Sequence, residues 1–358
     1  YHPDWNSYIF NYDRAEVRTF LISSARFWLD HFHVDGLRVD AVNSILRLDF
    51  SRKEGEWTPN KYGGNGNLEA IEFIKLFNET VYRDFPDIQT IAEEASDWPK
   101  ISKPTTEGGL GFGMKWMMGW MHDTLDYFKM NPIMRQFQQN KFSFSMMYFY
   151  DENFMLPFSH DEVVHGKSPM IYKMPGDEWQ KFANLRLLYT YMFTHPGAKL
   201  LFMGNEFAQT SEWNYKSELD WPLLQYPCHQ LMQDCVRDLN LIYQSHPALY
   251  ELQFNTKGFE WVDLNHKPES VIAFLRKGKN KKNNMLIVLN MTPVVRHDWK
   301  LRIKGKATWT EIFNSDNEKY WGTGKVYNPT PKTTLIDKKK QIYEINLQLP
   351  ALAGIILV

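Results

Sequence analysis

The chain has 358 residues, a hydrophobic fraction of 43%, and 41 basic against 42 acidic residues, for a net charge of -1. That length holds about two domains with a sizeable core, and the balanced charge argues against a nucleic-acid or anionic-membrane partner, since both select a basic surface. No apolar run approaches the ~20 residues of a membrane span and no signal-peptide pattern is visible.

Asn11-Tyr12-Asp13 predicts a helix start, with Asp13 as N-cap and Glu16 three residues on. Val17, Phe20, Leu21, Trp28 and Phe32 fall on the apolar face of that helix. It feeds a strand over Val34–Ala41. A second helix around Asn67–Tyr82 leads to a strand over Ile88–Ala92. Further strands are expected at Phe112–Trp116, Phe154–Phe158 and Lys199–Met203, the last two bracketing a helix from about Asp177 to Thr194. This alternation argues for a parallel sheet with crossover helices. The run Gly108–Gly113 has the wrong spacing for a dinucleotide fingerprint and reads as a flexible loop. Cys228 and Cys235 sit seven apart in a helical stretch, roughly 10 Å along the axis, too far for a bridge. A reduced, cytoplasmic protein is the expectation, and the sequons at Asn78 and Asn290 read as chance matches.

Beyond about His246 the pattern changes. Val271–Arg276 and Met285–Asn290 flank a Lys-rich hairpin tip, and Trp299, Leu301 and Ile303 alternate with polar residues. So do Tyr343, Ile345, Leu347 and Leu349. Period-two runs between loops mark an antiparallel β domain. The expected division is residues 1–250 and 251–358.

Three acidic clusters follow short apolar runs: Arg38-Val39-Asp40, Ala92-Glu93-Glu94 and His160-Asp161-Glu162. Acids delivered by the ends of successive parallel strands onto one rim are how a (β/α) barrel builds an active site. Two carboxylates are the minimum for glycoside chemistry, and a third can hold the sugar. Arg38 and Asp40 share a strand face, so the cation holds the carboxylate and favours its charged form. A structural ion pair would explain Arg38–Asp40 alone, but not three acids in order. Glu94 would point away from Glu93 along a strand. The 13 Trp serve either a large aromatic core or stacking platforms for sugar rings. No His-Glu-x-x-His, Gly-x-Ser-x-Gly or phosphate loop offers a competing mechanism.

The runs Val34-Asp35-Gly36-Leu37-Arg38-Val39-Asp40, Ile91-Ala92-Glu93-Glu94 and His160-Asp161 resemble the α-amylase superfamily of retaining α-glucan enzymes. Ser159 to Lys167, with His2-Pro3-Asp4-Trp5, Ser51 to Trp57, Phe112 to Asp123 and Leu349 to Gly354, is similar to its glycogen (1,4-α-glucan) branching enzymes. Met117 departs from that pattern, which has Asn there. The resemblance implies an α/β fold: a partial (β/α) barrel, about strands four to eight, followed by an all-β C-terminal sandwich. The first three strands would lie upstream of Tyr1, leaving this stretch alone inactive. It also implies Asp40 as nucleophile, Glu93 as general acid/base, and Asp161 as the third acid, with Arg38 and His160 binding substrate. The substrate would be an α-glucan, and neither metal nor cofactor is required. A hydrolase of the same superfamily shares these carboxylates. A non-catalytic glucan-binding module is the alternative from another class.

Overall fold

Successive βα steps lay down the first sheet in a computed structural model that describes residues 1–358. Its elements run α1 (Ala15–His31), β1 (Gly36–Val39), α2 (Val42–Leu46), α3 (Leu68–Asp84), β2 (Gln89–Ala92), β3 (Met114–Trp116), α4 (Met118–Lys129), α5 (Gln139–Phe144), β4 (Phe154–Phe158), α6 (Glu178–Thr194), β5 (Ala198–Leu201) and α7 (Pro227–Ser245). The strands stand in chain order, β1-β2-β3-β4-β5. The pairs β1–β2, β2–β3 and β3–β4 are parallel. Gly36 is opposite Gln89, where a Cβ would meet the Gln89 carbonyl oxygen at 2.6 Å. Only glycine permits that approach.

Two compact units divide the chain: Tyr1–Met118 with Asp151–Met155, and Gly119–Tyr150 with Leu156–Val358. In the first unit α3 starts where Asn67 accepts a hydrogen bond from the Ala70 N–H, a side-chain N-cap. Its Phe73, Ile74, Phe77 and Val81 join Leu46, Ala92, Ile101 and Phe112 in one apolar cluster. Met117 is buried, so its departure from the resembling pattern bears on packing.

The start of α1 differs from expectation. Asn11 accepts from the Asp13 N–H and closes a turn, so the helix begins at Ala15 with Arg14 as an N-cap lacking a side-chain bond. Its packed line also differs: Ala25 and Leu29 are buried, Leu21 and Ile22 pack against the cluster, and Phe20, Trp28 and Phe32 are exposed. The buried line follows an i, i+4 row, displaced around the helix from the expected face.

The glycine-rich segment is not a loose loop. Gly109, Leu110, Gly111 and Phe112 all donate backbone hydrogen bonds, to Pro104, Lys100, Lys103 and Ile101. Asn78, buried, donates its Nδ2 to the Leu110 carbonyl at 2.8 Å. A Cβ on Gly109 would lie 2.1 Å from the Lys103 oxygen. The glycines are there because the backbone folds onto itself. Asn290 is likewise buried, donating to Val294 and Pro350, so neither sequon is available to a glycan.

In the second unit Asp177 caps α6 in a capping box with Gln180. Every residue of α6 from Phe182 to Thr194 is buried. After α7 come β6 (Phe259–Asp263), β7 (Val271–Arg276), β8 (Met285–Asn290), β9 (Arg296–Lys304), β10 (Glu311–Asn314), β11 (Thr333–Asp337), β12 (Ile342–Leu349) and β13 (Ala353–Leu357). They form a five-stranded sheet, β10-β13-β8-β7-β6, and a three-stranded sheet, β11-β12-β9. Leu275, Val288, Leu301, Ile303, Leu347 and Ile355 share the core between them. Buried arginines fasten these sheets to the helices. Arg135 donates to the Met291 and Phe128 carbonyls and to Asn184 Oδ1, each at 2.8 Å. Arg186 donates to the Ser315 carbonyl at 2.7 Å, and Arg276 to those of Thr194 and Leu249 at 2.7 and 2.9 Å.

Gly109→Ala is expected to destabilise the first unit by about 1–3 kcal/mol, the range for a methyl forced into packed structure. Urea unfolding measures it, and amide exchange at Gly111 and Phe112 should accelerate. Unchanged stability would mean that the segment relaxes freely.

Candidate functional site

Asp40 and Glu93 each follow the carboxyl end of a parallel strand, β1 and β2, and the pairing of those strands brings them to one guanidinium. Both terminal nitrogens of Arg38 donate to Asp40 Oδ1 at 2.8 Å. Arg38 also stands 3.9 Å from Glu93 Oε2, and its guanidinium lies over the Trp116 ring, 4.5 Å from the centroid. The Asp40 side chain is 77% exposed. An ion pair so exposed contributes at most about 1 kcal/mol, so stability does not explain it. It presents a fixed, open carboxylate.

Glu93 is more enclosed. Its Oε2 accepts from the Ala41 N–H at 2.6 Å. Its backbone donates to Val39 and accepts from Val42, both at 2.9 Å. Ala41 has φ 46°, the left-handed region that costs a non-glycine residue roughly 1 kcal/mol or more. That strained turn points the Ala41 N–H at the carboxylate.

Glu94 does what a strand neighbour should do and faces the other way. It is 1% exposed, its Oε2 is 2.5 Å from Lys115 Nζ, and its Oε1 accepts from the Ser96 N–H at 2.8 Å. Lys115 donates in turn to the Ser96 carbonyl. One of the two adjacent glutamates is thus a buried anchor, and the other faces Arg38.

His160 and Asp161 follow β4, in the second unit. Ser159 caps the short 3₁₀ turn His160–Val163 in a reciprocal box with Glu162. His160 Nε2 lies 3.3 Å from Asp161 Oδ1, with both side chains partly exposed. The loop beyond is held from outside the motif. His165, Gly166 and Ser168 all have positive φ, and the N–H groups of Gly166 and Ser168 donate to Glu212 at 3.0 and 2.7 Å. Those two donors hold the Glu212 carboxyl below the usual carboxylate range. Lys173 donates to the Lys167 carbonyl, and burial pushes its ammonium down to about 8.

Sequence reading gave no role to five of these participants: Trp116, Ala41, Lys115, Glu162 and Glu212. The Ser159-x-x-Glu162 spacing is a legible capping-box signal. Nothing in the sequence announces an alanine in the left-handed region or a carboxylate reaching back from residue 212. No three His, Cys, Asp or Glu side chains gather in a metal-holding arrangement. No helix is long and apolar enough to cross a membrane.

Residues 6–285 match the α-amylase catalytic domain and residues 261–358 the α-amylase C-terminal all-beta domain. The chain is 55% identical over 357 residues to the protein of Aquifex aeolicus named 1,4-alpha-glucan branching enzyme GlgB, covering 100% of this chain and 56% of that protein. Proteins of the same name from Nitrosococcus oceani and Rubrobacter xylanophilus are 52% and 50% identical, with 99% of this chain and 47% and 49% of theirs covered. The chain thus spans about half the length of the curated relatives it matches. Among solved structures, a debranching enzyme from Nostoc punctiforme superimposes with a TM-score of 0.64 at 16% identity, covering 97% of this chain and 63% of that one. An α-amylase from H. orenii gives 0.59 at 16%, covering 97% and 65%. At such identity these two establish the fold alone.

Removing one partner of the Glu94–Lys115 pair strands a buried charge, at a cost of about 3–5 kcal/mol. Glu94→Gln and Lys115→Met should each lose that much in urea unfolding, and the double variant clearly less than their sum. Additive losses would mean that the two side chains act independently.

Proposed function

We propose that this chain, which belongs to the α-amylase family, supplies Asp40, Glu93 and Asp161 to the active site of a 1,4-α-glucan branching enzyme. One observation carries the reading: carboxylates at the ends of two paired parallel strands face the same guanidinium, Arg38. The printed function of the relatives supports the choice of reaction.

The Asp40 carboxylate attacks the anomeric carbon of an α-1,4-linked glucan. As that bond to oxygen breaks, Glu93 gives its proton to the departing oxygen. The donor chain is left as an ester on Asp40. Glu93, now a carboxylate, takes the proton of an acceptor chain's 6-hydroxyl, whose oxygen attacks the same carbon and displaces Asp40. Two inversions retain configuration and leave an α-1,6 branch. Arg38 orients Asp40. Asp161 accepts hydrogen bonds from sugar hydroxyls, and His160 donates one from its ring N–H. Carboxylates and glucan hydroxyls supply every proton and electron pair, so the sequence of steps runs without metal or cofactor.

The same reading assigns residues 1–250 to the catalytic portion and 251–358 to a C-terminal β domain, supported by the change from parallel to antiparallel pairing between β5 and β6. It places the protein in a reducing, cytoplasmic setting, supported by two unpaired cysteines.

The test uses the full-length protein on amylose. Branching lowers iodine staining without new reducing ends; hydrolysis creates reducing ends in step with the loss of staining. Asp40→Asn should fall below about 1% of parent turnover with folding intact, since an amide cannot be the anionic nucleophile. Glu93→Gln should abolish turnover of amylose yet spare glycosylation by α-glucosyl fluoride, whose leaving group needs no proton. Glucan binding with no turnover in the parent would replace the proposal with a binding module.

A further inference from the structure

The charge of this chain balances only as a sum. At one end of the β sandwich, four separate segments bring their lysines to the same concave surface. The turn before β6 carries Lys257, the β7–β8 hairpin Lys279 and Lys281, and the β9 end with the facing β11–β12 hairpin Lys304, Lys339 and Lys340. The register of β9 with β12 sets Lys304 opposite Ile342, and the Gly305 N–H donates to the Gln341 carbonyl at 2.8 Å, holding the two rims together. The groove so formed has a volume of about 1030 Å³.

Eight lysines line it, against one acid, Glu260, and no arginine. Glu260 is already paired with Lys277. Lys306 lies over the Trp309 ring at 4.4 Å and donates to the Asn284 carbonyl. None of the other six is ion-paired. The nearby acids are occupied by backbone: Glu251 accepts from the Lys279 N–H and Asp337 from the Lys340 N–H, both at 2.9 Å. Eight ammonium groups against the carboxylates of Glu260, Glu251 and Asp337 leave an excess of positive charge, which a concave wall focuses into the groove.

We propose that this groove binds an oligophosphate anion, either free or carried on a nucleotide. Three features select that class. The volume matches a small-ligand cleft, which runs to roughly 1,000 Å³, and is too confined for a folded partner. The cations are all lysine, point charges on flexible stems that neutralise phosphate without the fixed fork of arginine. Their number suits a ligand with several charges close together, so affinity rises with the length of the phosphate chain. The groove is independent of Asp40, Glu93 and Asp161, and the proposal stands whether or not the branching assignment does.

Isothermal titration of this chain with orthophosphate, pyrophosphate and tripolyphosphate tests it at about 0.05 M salt, where screening is weak. Tripolyphosphate should bind saturably at one site with Kd on the order of 10–100 μM, more tightly than pyrophosphate, with orthophosphate weakest. Adenosine triphosphate should match tripolyphosphate. The Lys304→Glu/Lys340→Glu variant should lose at least about tenfold, and Lys304→Gln/Lys340→Gln at least about threefold, with far-UV circular dichroism unchanged. Lys53→Glu/Lys61→Glu, equal in charge change but far along the chain in the first unit, should retain parent affinity. Absence of saturable binding, equal loss in that control, full affinity in the glutamine variant, or binding of the nucleotide but not tripolyphosphate would each overturn the proposal.

Discussion

A buried guanidinium has five donors and cannot give up its charge cheaply, so the protein around it must be arranged to satisfy it. The second unit contains three such groups, Arg135, Arg186 and Arg276, all essentially without solvent contact. Burial lowers each to about 10, which still leaves them charged at neutral pH. Among their partners are backbone carbonyls at Met291, Ser315, Thr194 and Leu249. A carbonyl at a turn has a direction set by the chain path. The bonds of Arg135 and Arg186 therefore constrain where sandwich loops lie relative to the segment after α4 and to α6, and those of Arg276 tie β7 to the end of α6 and to the turn after α7. The helix buried on every side and the sandwich beside it are one construction, although their sequences have opposite periodicities.

The first unit resolves a different difficulty, that of keeping adjacent acids in separate environments. Strand alternation sends Glu93 and Glu94 to opposite sides. The inner side contains Lys115 and the Ser96 amide, a full set of partners for Glu94. With its neighbour anchored, the backbone at Glu93 has little freedom, and the Ala41 amide meets its carboxylate at short range. Trp116 closes the other face of Arg38. Positioning thus comes from three strand ends and one strained turn.

How far the fold could be read from sequence depends on what stabilised each element. Phe154–Phe158, Val271–Arg276 and Met285–Asn290 match their expected bounds, because apolar runs buried on both faces leave no alternative register. The helix expected from about Asp177 to Thr194 matches α6, Glu178–Thr194 with Asp177 as its N-cap, because a local start agreed with the tertiary packing. At α1 two local signals competed, and the Asn11 turn displaced the Asp13 cap. Strands over Val34–Ala41 and Phe112–Trp116 shrank to Gly36–Val39 and Met114–Trp116, since residues can be extended without having a ladder partner. The helix α4 went unread: no Ser, Thr, Asp or Asn stands directly before its Met118-Gly119-Trp120-Met121 start to signal a cap, although Trp120, Met121, Thr124, Leu125 and Phe128 are buried and His122, Asp126 and Lys129 are exposed. At the site, identities of charged residues at strand ends were visible. Their partners were not, because an amide from a turn or a lysine from the next strand leaves no local pattern.

The capping box at Ser159–Glu162 and the Glu94–Lys115 pair have one trait in common: each places a structural acid within one residue of an acid assigned to chemistry. A genetic screen that scores only loss of glucan staining would record Glu94 and Glu162 as indispensable, indistinguishable from Glu93 and Asp161. Ranking by phenotype would then yield five essential acids where the proposed reaction uses three. Separating them requires the amount of folded protein in each strain as a second axis, because Glu94 and Glu162 act through the supply of folded molecules and not through the rate of any one of them.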